Sequence, residues 1–164
     1  MEHAADEQVL REQTEAAARL TDLERLQPEN LLRYQPAHAA YDVRFGGKKD
    51  ARAIAALFRA AAEALPRGGA GNGVFLLALA DTLENMDIQL YEHYRVLADL
   101  LFEAARATDP AGDAAAACAL MKAVRLGLLD GEKYLPPARK AAQSLAAVPF
   151  ADRAAEEYER TAGL

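Results

Sequence analysis

Apolar positions along the chain recur at intervals of three and four residues, and no stretch alternates with a period of two. The first spacing is that of one face of an α-helix and the second that of a half-buried strand, so the pattern predicts an all-α fold. Val9, Ala16, Leu20 and Leu23 mark a first helix over 4–26, stopped by Pro28. Residues 27–49 carry Pro28, Pro36, Gly46 and Gly47 and read as an irregular segment with a short helical turn near 37–43. A second helix follows over 51–65, with Asp50 as its N-cap, Ile54, Leu57, Phe58, Ala61 and Leu65 as its apolar stripe, and Pro66 as its end. The glycine-rich stretch 67–73 reads as a loop in which Asn72 caps the next helix.

The third predicted helix is the longest. No proline or glycine interrupts the chain between Val74 and Arg106. Leu76, Leu79, Leu83, Met86, Leu90, Tyr94, Leu97, Leu101 and Ala104 form a near-heptad seam with one four-residue stutter in its middle. At ~1.5 Å per residue such a helix is about 50 Å long. A compact chain of this size has a radius of gyration of only ~15 Å. The seam would therefore overhang the fold and need a partner, for which a second copy of the chain is the simplest choice. After Pro110 and Gly112 a fourth helix is expected over 113–128, a fifth with Pro136 and Pro137 in its first turn, and a last one over 150–161. The expectation is one domain over residues 1–164, a five- or six-helix bundle organised around the 74–106 helix.

Composition sharpens this picture. Of the 164 residues 39 are alanine, the best helix former, while β-branched residues are scarce. A single cysteine excludes an intrachain disulfide, and three histidines with one cysteine leave too few ligands for a Cys/His zinc site. The net charge of −6 argues against a nucleic-acid partner. The acidic start of the chain is no secretory n-region, and the longest apolar run, Val74 to Ala80, is far short of a membrane span. A soluble cytoplasmic protein with no membrane partner is expected. The excess of arginine and alanine over lysine and asparagine suggests a GC-rich bacterial genome. Charge is uneven: residues 1–30 hold eight acids against three bases, residues 31–72 three against seven, and residues 73–110 seven against two. Complementary packing of the basic segment between the acidic ones is expected from that distribution.

Three groups of residues could carry chemistry. Asp81, Glu84 and Asp87 step by three along the long helix, and Glu84 and Asp87 interrupt an otherwise apolar stripe. Carboxylates so placed suit Mg²⁺. Glu84-x-x-Asp87 resembles the second carboxylate motif of the helical nucleotide pyrophosphatases, which implies a divalent-metal-dependent phosphohydrolase. The first motif of that family, Glu-x-x-Glu, is missing, since the second helix offers only Glu63. Without a metal, these acids would be solvated or would pair with Arg52 and Arg59. The second group is the basic segment with Arg33, Arg44, Lys48, Lys49 and Arg52, interleaved with Tyr34, Tyr41 and Phe45 just before a helix N-terminus, where an anionic ligand is favoured. The spacing of a phosphate-binding loop is absent.

The third group is histidine. His93 and His38 are each preceded at three residues by Leu90 and Gln35, not by glutamate, so a di-iron bundle site is not encoded. The lysine and glycine that follow a phosphotransfer histidine are missing after His93. Cys118 reads as a buried free thiol, and Ser144 lies in no nucleophile context. No complete catalytic set is present. The sequence thus points to a non-enzymatic interaction protein, without cofactor, that self-associates as a homodimer through the long helix or binds another protein. Its alternatives are the metal-dependent phosphohydrolase using Glu84 and Asp87, and an anion-binding module at 44–52.

Overall fold

Helix α5 (Asn72–Glu84) is apolar on nearly every side, and all residues from Phe75 to Leu83 are buried. A helix of that kind can only be the centre of a fold. The structure, a computed structural model, describes residues 2–65 and 72–164, with side chains from residue 6 onward. The described residues form nine helices and no strand. α5 packs against α3 (Pro28–Arg44), α6 (Tyr91–Arg106) and α7 (Ala114–Arg125). On the far side of α3 lie α1 (Glu2–Ala18), the single turn α2 (Asp22–Arg25) and α4 (Ala51–Ala64), which also contacts α6. On the far side of α7 lie α8 (Gly131–Ser144) and α9 (Ala151–Arg160). One buried cluster runs through all of this, from Leu31 to Ala154. The run of alanines on α7 is wholly buried, because small side chains let α7 sit close to α5 and α8. Among the described residues no helix is long and apolar enough to cross a membrane.

The helix expected over 74–106 is two helices. α5 ends at Glu84 and α6 starts at Tyr91. The stutter in the seam marks the break. There, Asn85 turns its side chain back to donate to the Asp81 carbonyl at 2.8 Å, and the Asp87 carboxylate accepts from the Gln89 N–H at 2.9 Å. Such local side-chain bonds offer the backbone an alternative to the helical ladder. Folding α6 back onto α5 buries both halves of the seam in one core: Leu76, Leu79, Leu83, Leu97 and Leu101 are all at most 2 % exposed. At about 1.5 Å per residue neither half exceeds ~25 Å, and no seam overhangs.

Residues 27–49, expected to be irregular, are mostly α3. Pro28 occupies its first turn, where the missing N–H costs nothing, and Pro36 sits inside it. An internal proline costs about 3 kcal/mol. Burial of Leu31, Tyr34 and Ala39 offsets that, since a buried large apolar side chain contributes about 1.5–3 kcal/mol. The first helix is also shorter than expected: it ends at Ala18, and Thr21 opens α2 by accepting the Glu24 N–H at 3.2 Å. Val9 and Leu23, expected on its inner face, are exposed. α8 begins at Gly131 under an Asp130 cap, so Pro136 and Pro137 lie beyond its first turn. The helices expected over 51–65, 113–128 and 150–161 form with their ends within three residues of those positions. Pro66 and the glycine-rich run before Asn72 lie outside the described residues.

Candidate functional site

Of the acids of the expected long helix, Asp81 and Glu84 meet on one cation, Lys122, and Asp87 stands apart on Lys48. Asp81 and Glu84 are held by cations of α7 and α9, and Asp87 by a cation of the basic segment. Asp81 is buried on α5, where Lys122 Nζ of α7 approaches its Oδ1 at 2.6 Å and Arg153 Nη2 of α9 bonds both oxygens at 2.8 Å. Glu84 meets Lys122 at 3.1 Å and Arg125 at 3.2 Å. Asp87 lies beyond the helix end and takes Lys48 at 2.7 Å, a hydrogen bond that, with the Gln89 N–H, holds its carboxyl below the usual range. The partners are therefore not Arg52 and Arg59. Among the described residues no three His, Cys, Asp or Glu side chains are grouped to hold a metal.

These pairs belong to a larger network at the α5, α7 and α9 junction. Arg125 grips Glu157 of α9 through Nε at 2.9 Å and Nη2 at 2.8 Å. Arg160 adds a contact to Glu157 at 3.3 Å. Burial favours the neutral form of Glu157, but the hydrogen bond and charge of Arg125 outweigh it and hold the carboxyl below its ordinary value. Burial likewise acts against the Lys122 cation, and Asp81, then Glu84, overcome it, so Lys122 titrates above the ordinary lysine value. Cys118, free and 1 % exposed beside this network, has its thiol pushed up to about 12 by burial. A thiol so protonated is no nucleophile. The network joins three helices, and each of its acids is paired with at least one cation.

The basic segment is dispersed. Arg33 stands on the Tyr34 ring, and Arg44, eleven residues further along α3, on the Phe45 ring. At ~1.5 Å per residue these two are about 16 Å apart along the axis. Arg44 faces Asp6 at 3.6 Å and Lys48 holds Asp87, so two of the cross-segment pairs expected from the charge distribution form. Lys49 and Arg52 are exposed. The N-terminus of α4, where an anion was expected, is already served by the protein's own carboxylate. Buried Asp42 accepts the N–H of Lys49 at 2.9 Å and of Asp50 at 3.1 Å. Gly46 makes this possible, because a Cβ there would meet the Asp42 Cα at 2.9 Å.

With its backbone N–H so engaged, Asp50 does not cap α4 with its side chain. It turns instead to His38 of α3, Nε2 to Oδ2 at 3.0 Å. This pair stands at the wall of a cleft of about 380 Å³ between α1, α2, α3 and α4, lined also by Thr14, Arg25, Gln35, Ala53, Ile54 and Leu57. The size is that of a small-molecule pocket. Two of its lining residues each carry a buried polar atom without a partner. Gln35 is only 5 % exposed and its Oε1 accepts no hydrogen bond. The Arg25 Nε–H is buried and donates to nothing, while its Nη2 closes the end of α1 on the Ala18 carbonyl at 2.9 Å. Arg25 has no acidic partner among the described residues. Buried polar groups are ordinarily satisfied, and these two, carried by residues that line the cleft, are not. The sequence named Gln35 and His38 only to reject a di-iron motif; their spacing of three was the one signal available. His93 stays half-buried on α6, away from this group. No family model, characterised protein or solved structure matches the chain.

Proposed function

We propose that the protein is a non-enzymatic binding module whose cleft takes a small carboxylate that also carries an amine or amide N–H, a molecule of amino-acid or acylated amino-acid size. The observation that carries this reading is the pairing, in one cleft, of the unpartnered Gln35 Oε1 with the Arg25 guanidinium that lacks an acid. Arg25 supplies a fixed donor and a positive charge for the carboxylate. Gln35 Oε1, once its amide turns toward the cleft, accepts the ligand N–H, and Asp50, held by His38, faces an amine. Ala53, Ile54 and Leu57 provide an apolar wall for the remainder. No nucleophile stands ready: Thr14 already donates to the Leu10 carbonyl at 2.9 Å. Binding without turnover is the chemistry this set supports.

Thermal shift with free amino acids, N-acetyl amino acids, inorganic phosphate and nucleoside monophosphates tests it. A ligand at a hundred times its Kd adds about 2.7 kcal/mol to stability. The expected result is a rise in Tm with one or more of the carboxylates that is lost in Gln35→Met. No shift by any carboxylate at millimolar concentration would overturn the reading, and a shift by phosphate compounds alone would replace the ligand class.

A further inference from the structure

α9 is fastened to the rest of the molecule chiefly by ion pairs. Its one fully buried apolar side chain is Ala154, at 1 % exposure. Beside it Phe150 and Tyr158 pack partly buried on the core, and the polar hold is Arg153 on Asp81, Glu157 on Arg125, and Arg139 of α8, whose Nη1 donates to the Tyr158 carbonyl at 2.7 Å and to Thr161 Oγ1 at 2.8 Å, with its guanidinium 3.7 Å from the centre of the Tyr158 ring. Undocking such a helix exposes mainly charges that water solvates, which an apolar helix would not. The connection that folds α9 back is strained. Between α8 and α9, Ala147 has φ 58° and Phe150 has φ 69°, both in the left-handed region that side chains with a Cβ avoid. Pro149 stiffens the same segment. Extended, residues 145–150 span about 20 Å, and both residues return to ordinary backbone angles.

We propose that two copies of this chain associate by exchanging α9, each copy docking the other's helix on its own α5, α7 and α8. Every contact named above joins α9 to another element, so an exchanged pair rebuilds all of them and sheds the hinge strain in addition. Exchange of an identical element is a low-cost route to a dimer. A dimer formed this way needs no apolar seam, and so differs from one built along the 74–106 segment.

Charge reversal tests the exchange. Glu157→Arg and Arg125→Glu each mismatch the intrachain pair, but a mixture matches it in both directions when α9 is exchanged. Refolded separately, the two variants should be monomers by light scattering; refolded together, they should form a heterodimer of twice 17.7 kDa. The double variant in one chain, which restores the pair, reports whether the reversed site folds. Deleting 146–148 makes the hinge too short to fold back and should yield an obligate dimer even if the single variants fail to fold. Absence of a heterodimer with a folded double variant, or a monomeric 146–148 deletion, would overturn the proposal.

Discussion

Arg125 and Glu157 form a two-bond clasp between α7 and α9, 32 positions apart in the chain, and the two partners are unequally buried. The Glu157 side chain is 3 % exposed and the Arg125 side chain 26 %. Removing one partner leaves the other behind, so the cost depends on which charge is stranded. Arg125→Met leaves the buried carboxylate only the longer Arg160 contact and should cost about 3 kcal/mol. Glu157→Gln strands an arginine that still reaches Glu84 and water, and should cost about 1–2 kcal/mol. Urea denaturation of the two variants gives the order directly.

The same pair fixes a pH response. Glu157 titrates in the folded state below its ordinary value of 4.5, so the unfolded chain binds the proton first. Its stabilisation is present above that value and is lost as pH falls through the folded-state value. Wild type should therefore lose stability more steeply below pH 4.5 than Glu157→Gln. Lys122 acts in the opposite sense: its folded value lies above 10.5, so its contribution is complete below that pH and fades above it. Denaturation midpoints across the two acid and alkaline limbs separate the residues.

Cys118 offers a probe of unfolding. Its thiol is neutral to about pH 12 and has no access to solvent. Labelling by a disulfide reagent at pH 8 should be slow in the native protein and complete in denaturant. Fast labelling under native conditions would mean that the α7 face opens locally.

Gln35 predicts a trade between stability and binding. An unpaired buried amide oxygen costs about 1–3 kcal/mol. Gln35→Met has similar volume and no orphan, so it should stabilise the unliganded protein by about 1 kcal/mol while removing ligand-induced shifts in Tm. A loss of stability instead would show that the amide serves the fold and not a ligand.

Gly46 should tolerate no side chain. A Cβ there meets the Asp42 backbone, which must shift and release the Lys49 and Asp50 N–H groups. Gly46→Ala should cost about 1–3 kcal/mol, and Asp42→Asn a similar amount through the loss of charge-assisted bonds. Calorimetric Tm values check both.

For two helices the local signal was enough. The stripe Ile54, Leu57, Phe58 and Ala61 located α4, and the alanines around Cys118 located α7 and the burial of its thiol. Helix propensity and three-to-four spacing are properties of neighbouring residues, and they survive folding unchanged. Stops were less legible. Pro36 looked like a breaker, yet α3 runs through it because its buried face is worth more than one lost hydrogen bond. Met86 to Leu90 looked like a continuing seam, yet the side chains of Asn85 and Asp87 end the helix there.

What joins distant residues was set by the tertiary structure alone. Asp81 meets Lys122 across 41 positions and Arg153 across 72, and no pattern of spacing records such a match. The cleft is of the same kind: Arg25 of α2, Gln35 and His38 of α3 and Asp50 at the start of α4 converge only when these elements pack. The sequence by itself determined that the chain is helical and which faces are apolar, because both follow from local conformational preference and hydrophobic periodicity. The partner of each charge, and the polar atoms left without one, were decided by packing, because burial and distance exist only once the helices are in place.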